Sequence, residues 1–517
     1  MRVLQPVGLE VRAYQKNIAE SALDANTLVV IPTGLGKTVI ALLTAVDRLS
    51  AFPDAKVVFL APTRPLVAQH AQFFRDHLTE NDTPVETEML TGEVSPETRS
   101  TTFQKAKLIF ATPEVIRNDV VVEHRYSLRD VCILVFDEAH RCVKDYAYSE
   151  VAEAYKHEAS HPLILGLTAS PSSRRERINE ICTKLAITNV EARTETDADV
   201  TGYVKAVTIA WERVPLPKSY ITIGQLLRNI FDEKVRKLCS MHYLPNNVMI
   251  SKRILLELGE SLHRRLAKAR VGFLFAAVIL QSQALSVQHA IELLETQGID
   301  SMTKYLSRLQ ESKNKSARSL AKDPRIVEAL KLSQINPSEH PKRARLRQLI
   351  TDQLKEKKTA KLIVFTQFRT TVESIVENLN TLEDVSAMRF VGQATRNEKD
   401  VGLTQSEQIQ ILKDFAAGKF NVLVTTSIGE EGLHVPDVDH VVFYEAIPSE
   451  IRSIQRRGRT GRTMIGKVTI LMAEDTVDEA YYWTSQRKEK QMQHFIENVK
   501  KKGYTPPKQK TTLLDFT

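Results

Sequence analysis

Cysteine is scarce in this 517-residue chain. Cys132, Cys142, Cys182 and Cys239 stand far apart, with no pair at the spacing of a metal knuckle, so neither a disulfide framework nor a cysteine-bound metal is expected. Long apolar runs are missing as well. The longest, Val271–Leu280, falls well short of the roughly 20 residues that a bilayer crossing needs, and the N-terminus has no signal-peptide pattern. These absences lead us to expect a cytoplasmic, nucleoid-associated protein with no membrane partner. Long disorder is excluded by composition, since 42% hydrophobic and 26% charged residues make the balance of a soluble globular chain. At 517 residues one core does not suffice, and three units are expected.

Charge is unevenly placed. Between Trp211 and Arg347 there are 24 Lys and Arg against 12 Asp and Glu, in a chain whose net charge is only +8, so the rest is net acidic. A basic segment confined to the middle of the chain points to a polyanionic partner.

The stretch Ile31-Pro32-Thr33-Gly34-Leu35-Gly36-Lys37-Thr38 follows the apolar run Thr27–Ile31 and precedes the glycine-free apolar segment Val39–Leu49. Strand, glycine loop and helix together make a phosphate cradle, with backbone amides turned inward at the positive end of a helix. Lys37 would reach the β/γ-phosphates and Thr38 would take one position on Mg²⁺. About a hundred residues on, the buried strand Val131–Phe136 delivers Asp137-Glu138-Ala139-His140. Asp137 is placed to complete the Mg²⁺ shell, and Glu138 to deprotonate the attacking water. Pro162–Leu165 reads as a further strand leading to Gly166-Leu167-Thr168-Ala169-Ser170, whose hydroxyls suit coupling of phosphate state to domain closure.

Other strand ends carry polar loops at the edge where open parallel sheets bind ligands. Lys56–Leu60 leads to Thr63 and Arg64, Leu108–Phe110 leads to Thr112, and Thr91 and Gly92 lie between them. These are expected contacts to a sugar-phosphate chain. From about Trp211 to His340 strand alternation stops, and Gln225–Cys239, Ser251–Leu266, Ala267–Glu295 and Ser301–Gln310 show helical spacing. Within that segment Arg264, Arg265, Lys268 and Arg270 are candidate nucleic-acid contacts. The α/β pattern resumes at Lys361–Phe365, followed by Gln367 and Phe368; Ala387–Phe390 leads to Gln393, and Asn421–Val424 leads to Thr425. His440–Tyr444 precedes Gln455-Arg456-Arg457-Gly458-Arg459-Thr460-Gly461-Arg462, where three-residue spacing lines Arg456, Arg459 and Arg462 along one helical face as candidate arginine fingers.

The fold class expected is α/β, with two parallel-sheet domains and an all-helical domain inserted between them. Boundaries are placed at 1–210 for the ATP-binding domain, 211–340 for the helical insert, 341–495 for the second sheet and 496–517 for a basic tail.

With Pro-Thr-Gly-Leu-Gly-Lys-Thr, Asp-Glu-Ala-His, Thr-Ala-Ser and Gln-Arg-Arg-Gly-Arg-Thr-Gly-Arg in this order, the chain resembles a superfamily-two DEAH-box helicase over nearly its whole length. Within that superfamily, Leu167-Thr168-Ala169-Ser170-Pro171, Ser453-Ile454-Gln455 and the helical insert are similar to archaeal Hef and the Fanconi anaemia M-type translocases. The resemblance implies two RecA-like domains, with ATP hydrolysis driving movement on forked or branched DNA. Catalytic roles would fall on Lys37, Asp137, Glu138, His140, Gln455, Arg459 and Arg462. ATP would be held by Arg12, Gln15, Thr33, Gly34, Leu35, Gly36, Lys37 and Thr38, with the Gln15 carboxamide reading the adenine edge. Thr168, Ser170 and Gly432 would couple hydrolysis to motion.

Two departures stand out: Hef chains often continue into an XPF-type nuclease that is not expected here, and His434 replaces the usual Asp of Gly-Leu-Asp-Val-Pro. Competing readings are an RNA-directed helicase of the RIG-I-like or Dicer type, which shares such an insert, and a nucleotide-gated clamp. Finally Thr512, Leu513 and Phe516 are similar to the peptide that binds the archaeal sliding clamp, PCNA; packing of these apolar residues back on the body is the alternative.

Overall fold

Short apolar strands alternating with amphipathic helices bury both strand faces only in a parallel sheet covered on each side. The computed structural model describes residues 4–32, 34–143, 146–169, 175–194, 197–203, 208–246, 250–268, 272–335, 337–392, 402–426, 438–445, 467–502 and 504, and it has two such sheets. The first contains seven strands in the spatial order Asn189–Ala192, Thr27–Val30, Ile164–Thr168, Val131–Phe136, Lys56–Leu60, Leu108–Ala111 and Thr87–Leu90, all parallel. Successive residues of one strand enter different cores. Leu28 and Leu134 join Tyr155 on one face; Val29 and Val135 join Phe59 and Phe110 on the other.

The strand expected at Pro162–Leu165 runs from Ile164 to Thr168 instead. Gly166 lies inside it because the packing there excludes a side chain. A Cβ would stand 3.1 Å from Leu28 and 3.3 Å from the Ala139 methyl.

The second sheet has six parallel strands in the order Thr208–Val214, Lys467–Ala473, His440–Phe443, Leu362–Thr366, Val422–Thr426 and Ala387–Phe390. Its first strand corrects the boundary placed between 210 and 211. Trp211–Val214 pair with Ile470–Ala473 at the edge of this sheet rather than entering the helical insert. The Trp211 ring packs against the sheet core and meets Tyr482 at 4.2 Å.

Between the sheets lie the helices Lys218–Ser240, Lys252–Lys268, Gly272–Thr296, Ile299–Glu311, Lys315–Ala321 and Pro324–Ile335, the last two beyond those expected. Gly272–Thr296 is long and apolar enough to span a bilayer by length and composition alone. Here it is the central helix of the bundle, with Leu274, Ala277, Ala284, Val287 and Leu294 buried against its neighbours.

A buried polar network fastens the insert to the second sheet. Glu295 accepts from the Val477 amide at 2.8 Å, and the Gln297 carboxamide donates to Glu445. Glu445 also takes hydrogen bonds from the Thr366 hydroxyl (2.9 Å) and the Gln367 amide (3.1 Å). Beside it, the fully buried Lys342 and Asp478 form an ion pair.

The helix Val477–Lys502 leaves the second sheet and ends on the first domain. Met492, Ile496 and Val499, on one helical face, enter the core that holds Tyr148 and Ile178, and Tyr504 follows 3.4 Å from Asn179. The tail placed at 496 therefore begins as docked helix.

Candidate active site

Loops that turn successive amides inward need backbone conformations open to glycine. Gly34 (φ +88°) and Gly36 (φ +80°) supply them between the strand Thr27–Val30 and the helix Lys37–Ala51. Space is tight as well, because a Cβ at Gly36 would lie 2.2 Å from Gln15 Nε2 and the carboxamide would have to move. Gln15 is buried beneath the loop, donating to the Leu35 carbonyl at 3.0 Å and accepting from the Arg12 amide at 3.0 Å. Tyr14, which no motif singled out, donates to the same carbonyl at 2.6 Å and accepts from the Arg12 guanidinium at 3.2 Å. Arg12, Tyr14 and Gln15 thus brace the loop from below. The Lys37 ammonium donates to the Ile31 carbonyl at 3.3 Å.

Facing the loop is the tip of the strand Val131–Phe136. The Asp137 amide donates to the Leu60 carbonyl at 2.9 Å, and its own carbonyl accepts the Tyr148 hydroxyl at 2.7 Å. Glu138 then adopts φ +49°, ψ +46°, an uncommon conformation for a side chain with Cβ, which re-aims the carboxylates at the end of the strand. Burial works to raise the Asp137 carboxyl, but the His70 ring, Lys37 and the Glu138 amide outweigh it and hold the group below the ordinary carboxylate value.

Two histidines tie the carboxylates to their surroundings. His70, on the helix Arg64–His77, places Nε2 2.8 Å from Asp137 Oδ2 and Nδ1 3.4 Å from Thr38 Oγ1. Its ring lies 4.4 Å from that of Phe59. No sequence motif pointed to it. His140 Nδ1 lies 3.1 Å from Glu138 Oε2 and 3.2 Å from Thr168 Oγ1, while the Thr168 carbonyl accepts the Ile31 amide at 3.2 Å. His140 thus stands between the Glu138 carboxylate and Thr168, and Thr168 is hydrogen-bonded to the start of the phosphate loop. Thr38 hydroxyl and Asp137 carboxylate, joined through His70, are hard oxygen donors that fit Mg²⁺ bound together with phosphate oxygens. Among the described residues no three His, Cys, Asp or Glu cluster into an all-protein metal cage.

The expected nucleic-acid residues divide. Thr63, Thr91, Gly92 and Thr112 do collect at the C-terminal ends of neighbouring strands of the first sheet, with Arg64 paired to Glu93 at 2.5 Å. Gln367 follows its strand, with its amide held by Glu445. Phe368 and Thr425 are less open than an isolated sheet edge would leave them. The Phe368 ring packs against the core of the helical insert, which docks beside its strand end, and the buried Thr425 hydroxyl donates to the Thr426 carbonyl. Arg264, Arg265 and Lys268 are exposed on the insert helix Lys252–Lys268, with the Arg265 guanidinium 5.6 Å from the Tyr243 ring centre. Thr33, Ser170, Arg270, Gln393, Gly432, His434, Gln455, Arg456, Arg459, Arg462, Thr512, Leu513 and Phe516 lie outside the described residues.

Family comparisons agree with this layout. The DEAD/DEAH box helicase family matches residues 12–178, the helicase conserved C-terminal domain matches 341–464, and a helical bundle named for ATP-dependent RNA helicases matches 219–337. The chain belongs to the ATP-dependent DEAD/DEAH helicases that carry a helical insert. The solved Hef helicase domain of Pyrococcus furiosus superposes with a TM-score of 0.71 at 45% identity, covering 92% of this chain and 98% of that one. Within the class, then, the chain is a member of the Hef family. A Methanocaldococcus jannaschii protein with an RNA-helicase name, MJ1505, is 38% identical over 497 residues, 96% of this chain and 62% of the relative. The DEAD-box ATP-dependent DNA helicase Fancm of Drosophila melanogaster is 31% identical over 504 residues, 91% of this chain and 34% of the relative. The chain thus spans about two thirds or less of these two curated relatives.

Proposed function

We propose that this chain is a DNA-stimulated ATPase that translocates on and remodels forked or branched DNA in replication-fork repair. The observation that carries the reading is the meeting of Lys37, Thr38, Asp137 and Glu138 at one site, with His70 joining Thr38 to Asp137 and His140 standing between Glu138 and Thr168 beside the phosphate loop. Lys37 exchanges the Ile31 carbonyl for phosphate oxygens, and Gln15 reaches the adenine edge only by giving up its bonds to the Leu35 carbonyl and the Arg12 amide. Thr38 and Asp137 would hold Mg²⁺, which would supply neutralisation of phosphate charge. Glu138 takes the proton of the attacking water, with His140 orienting its carboxylate. From the second domain, Arg459 and Arg462 stabilise charge on the transferred phosphoryl group together with Gln455 of the same motif, and Ser170 and Gly432 complete the coupling to closure.

The insert supplies the grip on DNA. Gln281 on the central helix donates to the Leu255 carbonyl of Lys252–Lys268, and in the chain the first turns of the central helix closely follow Arg264, Arg265 and Lys268. Phe273, Phe275 and Ile279 are exposed on those turns. Aromatic rings among cations suit bases splayed at a branch point.

The RNA-directed reading draws support from the RNA-helicase names of the Methanocaldococcus relative and of the helical-bundle family. Lys37→Ala and Glu138→Gln test the assignment of roles: both should abolish hydrolysis, and the second should leave ATP binding largely intact. Undiminished ATPase in either variant would overturn it. A clamp that binds nucleic acid without moving would show no strand displacement dependent on hydrolysis. We also propose Thr512, Leu513 and Phe516 as a sliding-clamp peptide. Truncation after Lys508 should remove clamp binding while leaving the melting temperature unchanged, and a lowered melting temperature would mean that the tail packs on the body.

A further inference from the structure

The buried His340 turns both ring nitrogens to backbone, with Nε2 2.9 Å from the Glu295 carbonyl and Nδ1 accepting the Lys342 amide at 3.2 Å. His70 is different, since both of its ring nitrogens face side chains: Asp137 Oδ2 at 2.8 Å and Thr38 Oγ1 at 3.4 Å. The ring is only 5% exposed and lies against Phe59, so its orientation is held by packing.

Hydrogen counting fixes what such a ring can do. An ionised carboxylate only accepts, so Nε2 must carry the hydrogen that meets Asp137, and in neutral imidazole Nδ1 is then bare. The Thr38 hydroxyl has one hydrogen and two lone pairs. Pointed at Nδ1, that hydrogen is kept away from a cation and a lone pair is presented to it.

We propose that His70 is a positioning residue for the metal: it takes the Thr38 hydrogen bond on Nδ1 and gives its Nε2 hydrogen to Asp137, aiming both oxygens at one Mg²⁺. The inference rests on the reading of Thr38 and Asp137 as the protein's share of the metal shell. His70 need not touch substrate or metal. It acts as outer-shell partners of ligating groups do, by fixing which lone pairs are available.

The test is Mg²⁺-dependent binding of a fluorescent ATP analogue to the full chain, with Mn²⁺ binding followed by electron paramagnetic resonance as the metal readout. His70→Leu keeps an apolar filler but removes both hydrogen bonds. It should raise the Mg²⁺ concentration for half-maximal nucleotide binding by about tenfold or more and weaken Mn²⁺ binding in parallel, with metal-free nucleotide affinity unchanged. His70→Gln, whose carboxamide offers one donor and one acceptor, should stay within about threefold of the wild type. Should His70→Leu not fold, His70→Asn, too short to reach both partners, takes its place with the same expectation. An unchanged metal requirement in the Leu or Asn variant, or a Gln variant that falls as far as they do, refutes the positioning role. So does an equal loss of metal-free nucleotide binding, which would mark a packing role. A wild-type protein whose nucleotide binding ignores Mg²⁺ refutes the reading of the site itself.

Discussion

Gly36→Ala tests how the nucleotide loop is braced, because the structure fixes each part of its cost. Gly36 sits at φ +80°, where alanine is disfavoured by about 1 kcal/mol or more. The new methyl would lie 2.2 Å from Gln15 Nε2, a separation no contact tolerates, so the carboxamide must leave. Its departure breaks the hydrogen bonds to the Leu35 carbonyl and from the Arg12 amide, each 3.0 Å long and worth about 1 kcal/mol. Together this is about 3 kcal/mol, or roughly a hundredfold in affinity if ATP must restore the loop before it binds. Titration with a fluorescent ATP analogue reads that loss directly. The clash also predicts strong coupling: with Gln15 already cut back to alanine, Gly36→Ala has less left to break, so the double variant should bind no worse than Gly36→Ala alone. A Gly36→Ala protein that binds within about threefold of the wild type, or losses that simply add in the double variant, would refute the reasoning.

Charge reversal of Arg264, Arg265 and Lys268 should weaken DNA binding and flatten its salt dependence, by about 0.9 in the log–log slope for each phosphate that is no longer neutralised, leaving ATP-analogue affinity unchanged. An unaltered slope would mean that these side chains are only a solvated face. His340 is pushed down to about 3 by burial and by the nearby Lys342 ammonium. A histidine depressed in the fold favours the folded state fully above its ordinary value near 6.5 and loses that contribution as pH falls towards 3. His340→Gln should therefore melt with a shallower dependence on pH between those limits, and an identical pH profile would contradict the assignment.

Residues whose chemistry and position are both set locally were legible in the sequence. Lys37 and Thr38 open a helix after a glycine loop, and Asp137, Glu138 and Thr168 end buried strands or follow them directly; a short run of residues decides where each stands. His70 was not, because it occupies an interior position of a helix on the face that also buries Val67 and Phe74. Only the docking of that helix on Phe59 brings it between Thr38 and Asp137. The same limit explains Phe368. Reading strand ends as ligand sites is sound for an isolated sheet, but the helical insert docks beside Phe368, fastened through Gln297 to Glu445 and through Glu295 to the Val477 amide. Strand Thr208–Val214 finds its partner in Lys467–Ala473, and the helix from Val477 returns to the first domain through Ile496 and Val499. Pairings between segments so distant in the chain leave no periodicity that marks them.

The central claim is a motor directed to branched DNA, and ATPase stimulation is its most direct measure. Steady-state hydrolysis by the full chain should be compared at one salt concentration with forked DNA, linear duplex DNA of the same length and double-stranded RNA as activators. The account predicts the largest stimulation by the fork, less by linear duplex, and little by RNA. Stimulation led by double-stranded RNA would contradict it and establish the RNA-directed reading.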